Sequence, residues 1–270
     1  MSENPSVHRA AAEGFSSGAE VYVRGRPDYP PQALDWLRNS LGLAVGRAVV
    51  DLGAGTGKFT RVLLATGAKV IAVDPVMPML DRLRRDVPEV EAVAGDAEHI
   101  PLAAGSVDAV ACAQSFHWFA TPAAVAEIRR VLKPGGALGL IWNQRDDSER
   151  WVAGLGRIFE RYQGDAPRMT SGEWRKVFPA QGFGPLHEAR FAHAHIGPPE
   201  RVIVDRAMSV SFMAALPTAE RERALAEVRA LIDATPSLAG RAEVSVPYVT
   251  VAFHCFASNM AVARQPHGES

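Results

Sequence analysis

The sequence predicts an α/β fold, a mostly parallel sheet with helices on both faces, and three observations predict it. Short apolar runs at residues 48–52, 70–73, 90–94, 107–113 and 137–142 each have the length of a buried strand. Helical patterns separate them at residues 59–66, 77–85 and 123–132. A glycine-rich turn joins the first strand to the first of these helices. Strands and helices alternating in this way need right-handed crossovers, and in such sheets ligands bind beyond the carboxyl ends of the strands.

Composition narrows the class. A chain of 270 residues, 47% of them hydrophobic, fits one large domain with an elaboration. The 29 basic residues against 30 acidic ones leave a net charge of -1, with a pI of 6.7. With no run of like charge, a nucleic-acid partner is not expected. Cys112 and Cys255 are the only cysteines and lie far apart, so neither a disulfide framework nor a zinc site is indicated and a reducing cytoplasm is expected. The first residues lack the basic-then-apolar pattern of a signal peptide. No apolar stretch reaches the roughly 18 residues of a membrane helix, so no membrane association is expected.

Taken in order, residues 1–20 read as a polar, disordered start followed by an Ala-rich helix. Tyr22, Arg24, Arg26, Pro27, Asp28, Tyr29, Pro30 and Pro31 then crowd aromatic, cationic and rigid side chains together. This segment is either a Pro-stiffened linker or a lid whose Tyr22 and Arg26 meet a ligand carboxylate. Pro31 can open a helix containing Leu34, Trp36 and Leu37. Val49 and Val50 run into Asp51 and then into Gly53, Gly55 and Gly57, after which Phe59, Val62 and Leu63 repeat with helical spacing. Glycine suits such a turn because it reaches positive φ cheaply and lets a ligand lie against bare backbone. The helix at 123–132 meets Lys133-Pro134-Gly135-Gly136, which are stop signals. Beyond Trp142 the regularity breaks. Trp151, Leu155, Ile158, Phe159 and Tyr162 have helical spacing, a strand follows at 186–196, a helical block at 202–232 and a last strand at 247–253. The helical block reads as an insertion over the sheet's ligand-binding edge, and residues 258–270 as a frayed tail.

Two familiar glycine patterns fail at the turn. A P-loop needs GxxxxGK[ST], but Phe59 follows Lys58 and no glycine stands five residues before Gly57. A dinucleotide turn needs GxGxxG, but Lys58 takes the place of the third glycine. Asp51 can instead accept from a cationic or amine-bearing ligand, or order the turn by accepting from its amides. Asp74 ends the second strand about 20 residues further on, where a carboxylate can take both hydroxyls of a ribose. Asp96 follows the third strand and can accept from an adenine amino group. A nucleoside ligand is therefore expected.

Asp51-Leu-Gly-Ala-Gly-Thr-Gly57, Val73-Asp74-Pro75, Gly95-Asp96-Ala97 and Val131-Leu-Lys-Pro-Gly-Gly136 together resemble the class I S-adenosylmethionine-dependent methyltransferases, over roughly residues 20–145. Tyr22-x-x-x-Arg26-Pro27-x-Tyr29-Pro30 and Gln114-Ser-Phe-His-Trp-Phe119 are similar to the small-molecule branch that includes trans-aconitate methyltransferase. The resemblance implies a Rossmann-like, mostly parallel seven-stranded sheet with an antiparallel last strand. It also implies S-adenosyl-L-methionine as cofactor. The turn Gly53, Ala54, Gly55 and Gly57 would contact its methionine part, Asp74 the ribose, and Asp96 with Ala97 the adenine, with Asp51, Pro75 and Met79 also in the cofactor site. Gln114 would lie near the methyl donor, with Tyr22 and Arg26 closing the site. On this basis residues 1–45 form a helical lid, 46–145 the cofactor-binding core, 146–257 the late strands with a substrate cap, and 258–270 a tail, within a single domain. A monomer or homodimer is expected.

His117, Trp118 and Phe119 follow the fourth strand, where the methyl group must be presented. His117 is a candidate general base, since an unperturbed imidazole titrates at about 6.5; packing within its loop is the alternative. Tyr29, His117, Trp118, Trp142 and Asn143 are candidate acceptor contacts, with plain core as the alternative for Trp142. His187, His193 and His195 can share a strand face, but paired histidines on a strand are usually solvated and no metal is expected. Met208, Phe212, Met213 and Leu216 read as core, with an apolar substrate pocket as the alternative. Methyl transfer from a sulfonium rests mainly on alignment of the reacting atoms. The expected activity is transfer to a small organic acceptor, with oxygen favoured. Rivals are a nucleic-acid or protein methyltransferase, disfavoured by the missing basic patch and Asn/Asp-Pro-Pro-Tyr-like motif, and a non-catalytic cofactor-binding protein.

Overall fold

A computed structural model describes residues 25–258. Its centre is a seven-stranded sheet in the order β3-β2-β1-β4-β5-β7-β6. The strands are β1 (Ala48–Leu52), β2 (Lys69–Asp74), β3 (Glu91–Ala94), β4 (Val107–Ala113), β5 (Leu132–Arg145), β6 (His187–Gly197) and β7 (Val244–Phe256). Pairing is parallel from β3 through β5. β7 runs antiparallel to both β5 and β6, as the family resemblance implied.

Alternation along each strand feeds a core on either face. Val49, Val70 and Ala72 pack on one side, and Val50, Leu52, Ile71 and Val73 on the other. The first side is covered by α1 (Pro31–Asn39), α2 (Lys58–Leu64) and α3 (Met77–Asp86), through Trp36, Leu37, Phe59, Leu63 and Leu83. Pro31 opens α1 at its first turn, where a missing N–H costs nothing. The second side is covered by α4 (Pro122–Val131) through Val125 and Ile128. Thr121 caps α4 by accepting from Ala124 N at 3.1 Å.

A third cluster lies in the C-terminal third. It joins Leu155, Ile158 and Phe159 of α5 (Arg150–Tyr162) to a π-helical turn, Glu200–Asp205, and to Tyr248 of β7. The expected helical block at 202–232 is several pieces: that π turn, α6 (Arg206–Met208), α7 (Ser211–Ala214) and α8 (Thr218–Asp233). Pro217 precedes α8, where it has no helical N–H to lose.

Two strand boundaries differ from the periodicity. β5 begins at Leu132, so Lys133-Pro134-Gly135-Gly136 lies within the strand as an irregular stretch, with Gly135 at φ 74° and the register against β4 shifting between Val107 and Ala109. β7 begins at Val244, ahead of Pro247. Pro247 is tolerated because β5 ends at Arg145 opposite Tyr248, leaving only β6 paired alongside it. Cys112 and Cys255 are buried free thiols. Among the described residues no helix is long and apolar enough to cross a membrane.

Gly139 on β5 shows how tightly α1 is seated. A Cβ there would lie 2.5 Å from Leu41 Cδ2 and 2.9 Å from Trp36 Cη2, both in buried side chains. Gly139→Ala is expected to destabilise the fold by about 1–3 kcal/mol through overpacking. Urea unfolding should show a lower midpoint with an unchanged slope; an unchanged midpoint would show that α1 does not press on the sheet.

Candidate active site

The turn after β1 is held by backbone first. Gly53 N and Ala54 N donate to Val73 O at 2.8 and 3.2 Å, tying the turn to the end of β2. Gly53, Gly55 and Gly57 all have positive φ, at 73°, 56° and 83°. A Cβ on Gly53 would lie 2.6 Å from Ser115 Cβ, and one on Gly57 2.9 Å from Leu83 Cγ. Those two glycines admit neighbouring side chains. Gly55 alone of the three would project a Cβ into open space, in the wall of a cavity shared with Asp51, Ala54, Tyr29 and Gln114.

Both strand-end acids are buried, and each has a structural partner. Asp74 accepts from Gly55 N and Val76 N, each at 2.8 Å. Burial nevertheless raises its pKa to about 6. Asp51 accepts from Thr60 Oγ1 at 2.6 Å through Oδ2, whereas its buried Oδ1 has no partner. Burial, opposed by the Thr60 hydrogen bond and aided by the charge of Asp74, raises Asp51 to about 7. Asp96 accepts from Glu98 N and His99 N at 2.9 Å, closing its own turn beside the end of β2, where Gly95 N donates to Asp74 O. Ala97 and Met79 are buried, and Pro75 follows Asp74 directly. None of Asp74, Pro75, Met79, Asp96 and Ala97 lines the cavity that holds Asp51 and Gly55.

Gln114 follows β4 with φ at 58°, a left-handed conformation that is uncommon outside glycine. Its N–H donates to Ile141 O at 2.9 Å, so the neighbouring strand fixes it. Gln114 and Asn143 line both the turn cavity and an adjoining cavity of about 390 Å³. His117, Trp118 and Trp142 line the second cavity. Trp142 Nε1 donates to His117 Nδ1 at 3.1 Å, so the neutral ring carries its proton on Nε2. Burial, with the Arg26 charge second, pushes His117 down to about 3. No lone pair is left for the general base expected from the sequence. Asn143 is held in place, with Oδ1 accepting from Thr250 Oγ1 at 2.6 Å and Nδ2 donating to Asp28 O at 3.2 Å.

The segment around Arg26 straps the site together. Lys58 donates to Arg26 O and pairs with Asp28 at 2.9 Å, and Arg26 Nη2 donates to Ser209 O at 3.0 Å. Tyr29 packs edge-on to Phe59 at 4.8 Å. Tyr22 lies outside the described residues. Lys58 and Arg206 are site residues that sequence reasoning missed. Lys58 stood out only as a mismatch to glycine patterns, and Arg206 sits in an apolar helical block without a motif. Met213 is core, whereas Phe212 lines the second cavity. His187 stacks on His254 at 5.1 Å, away from His193 and His195, which line an outer groove. Among the described residues no cluster of histidine, cysteine or carboxylate could hold a metal.

Comparison with known proteins agrees with this geometry. A methyltransferase domain family model matches residues 50–140. An uncharacterised methyltransferase-like protein of Schizosaccharomyces pombe is 40% identical over 240 residues, 88% of this chain and 93% of that protein. The chain belongs to the class I S-adenosylmethionine-dependent methyltransferases. An uncharacterised methyltransferase of Mycobacterium tuberculosis is 42% identical over 237 residues, covering 88% of this chain and 93% of the relative. A solved structure from Anaeromyxobacter dehalogenans, provisionally assigned as a type II methyltransferase, superposes with a TM-score of 0.61 at 25% identity. That superposition covers 86% of this chain and 97% of the other. Membership of this family makes the methyltransferase an enzyme and implies S-adenosylmethionine as its methyl donor.

Asp51 gives the site a pH signature. Its folded-state value of about 7 lies above the ordinary 3.8, so above pH 4 the unfolded chain has lost a proton that the folded chain keeps. The stability it supplies is therefore full in acid and falls as pH rises toward 7. Thr60→Val removes its one donor and is expected to cost about 1–3 kcal/mol above neutrality. The cost should shrink at pH 5, where the carboxyl is protonated in the fold. Urea unfolding at both pH values checks this, and an equal cost at both would show that Asp51 is not ionised at pH 8.

Proposed function

We propose that this methyltransferase acts on a small organic acceptor, with oxygen favoured as the methylated atom. The observation that carries the reading is the junction of two cavities at Gln114 and Asn143. One contains the unpartnered Asp51 Oδ1 and the open face of Gly55, and the other is a chamber of about 390 Å³ walled by aromatic rings. A chamber of this size suits a small molecule. Oxygen is favoured on the family resemblance alone.

The residues present fit the cofactor. Asp51 offers a buried oxygen to an ammonium, and Gly55 offers bare backbone beside it. Ala54 lies in the same wall, with Gly53 and Gly57 holding the shape of the turn. Asp74 for the ribose and Asp96 with Ala97 for the adenine rest on the family resemblance, since none of them lines the turn cavity. Arg26, which borders both chambers, closes the site. Bound there, S-adenosylmethionine supplies a methyl group activated by its positive sulfur. The chain's own contribution is alignment and exclusion of water. Gln114, locked by Ile141 O, borders both chambers, and the strap from Arg26 to Asp28 holds α2 against the residues that follow the π turn. His117 serves as a neutral donor through Nε2, replacing the base role expected from sequence.

Equilibrium binding of S-adenosylhomocysteine and transfer of labelled methyl from S-adenosylmethionine test this. Gly55→Val and Asp74→Asn are each expected to weaken S-adenosylhomocysteine by about tenfold or more. Wild-type affinity in both variants would remove these residues from the cofactor site. Label appearing in RNA or protein rather than in small molecules would favour the rival acceptors. His117→Gln is expected to lower turnover while leaving the pH profile between about 6 and 8 unchanged. An ionisation present in the wild type and missing in the variant would restore the base.

A further inference from the structure

The larger cavity has a charge pattern that methyl transfer itself does not require. Four arginines, Arg26, Arg145, Arg168 and Arg206, stand in its wall against two carboxylates, Asp147 and Glu160, both exposed. Arg206 is 91% buried, that is 9% exposed, and its Nε and Nη1 have no hydrogen-bond partner. Arg145, the last residue of β5, has an unpartnered buried Nε and sits over the Phe159 ring, its Cζ 4.4 Å from the centroid. Burial first and the Arg206 charge second push Arg145 down to about 10. A buried guanidinium and a partly buried one that repel each other are costly to maintain, because their unpaired donors lose hydration. An anion between them satisfies both, and the planar fork of arginine suits the paired oxygens of carboxylate or phosphate.

Local structure fits this use. Arg206 follows directly on the π-helical turn Glu200–Asp205, a geometry that tends to occur at functional positions. Gly25 packs on the same point, since a Cβ there would lie 2.7 Å from Arg206 N. Arg206 also borders the turn cavity, but Arg145 does not. An anion held by both therefore lies on the acceptor side.

We propose that Arg206 and Arg145 are a specificity-determining clamp for an anionic oxygen group, carboxylate or phosphate, on a non-reacting part of the methyl acceptor. The acceptor is then an organic anion with an apolar or aromatic body that packs among Trp118, Phe159 and Phe212. This rests on the methyl-transfer reading above.

The test uses the full chain saturated with S-adenosylhomocysteine and titrated calorimetrically with phenylacetate, phenylacetamide and phenyl phosphate. An anion is expected to bind about tenfold or more tighter than the amide. The tighter of phenylacetate and phenyl phosphate identifies the group. Arg206→Gln and Arg145→Gln should each bring the ratio to within about twofold, and Arg145→Gln, which lies away from the turn cavity, should leave S-adenosylhomocysteine affinity within the same factor. Arg206→Lys, which keeps the charge without the fork, should lose most of the preference. Equal binding of anion and amide by the wild type, or no binding of either anion, overturns the clamp. So does a preference that survives both glutamine variants, or a loss in Arg206→Gln confined to S-adenosylhomocysteine, which would assign Arg206 to the cofactor carboxylate. If a variant fails to fold, judged by near-ultraviolet circular dichroism, the wild-type comparison and the other variant still decide. Failure of the wild type to bind S-adenosylhomocysteine would overturn the cofactor reading instead, and the anion–amide comparison, made without it, still decides the clamp.

Discussion

Two carboxylates buried at the ends of neighbouring parallel strands set the geometry on which the rest of the site depends. Asp74 draws the amides of Gly55 and Val76 onto one side chain, so the turn after β1 and the turn after β2 cannot move independently. Asp51 reaches into the first turn of α2 through Thr60. Neither acid is fully compensated, and burial lifts both above ordinary carboxylates. Such residual cost, maintained by the surrounding fold, is what pre-organisation looks like.

Around that fixed turn the functional surface is assembled from parts far apart in the chain. Arg26, Lys58 and Ser209 are linked by hydrogen bonds from side chain to backbone, which join the N-terminal segment, α2 and the C-terminal insertion. Gln114 and Asn143 come from adjacent strands and divide one cleft into two chambers. The Trp142–His117 hydrogen bond orients the imidazole and also removes the lone pair that base catalysis would need. This division matches the chemistry of methyl transfer from a sulfonium, in which alignment contributes more than proton movement.

Much of the sheet was legible because a buried parallel strand is short, apolar and bounded by turn residues. The five strands from residue 48 to residue 142 all appear near their expected places. Misses fall where tertiary context overrides pattern. The helix ends before Lys133 as its stop signals predict, but Lys133 to Gly136 also lie within β5, as an irregular stretch where the register against β4 shifts. Pro247 lies inside β7 because its neighbour β5 has already ended. The helical block after residue 200 is broken at a π turn and a proline, which an apolar count does not register.

By itself the sequence determined the β1–turn–α2 unit with Gly53, Gly55, Gly57 and Asp51, and the acids Asp74 and Asp96 at successive strand ends. These are local: each depends on a turn conformation or a strand terminus that a few neighbouring residues specify. Only tertiary structure decided what those residues do. It showed that Gly53 and Gly57 make room for Ser115 and Leu83 while Gly55 faces the cavity, and that His117 is held as a donor by Trp142. It also brought Arg145 and Arg206 to one wall from separate elements of the C-terminal half. Long-range packing sets these pairings, and no spacing along one chain encodes them.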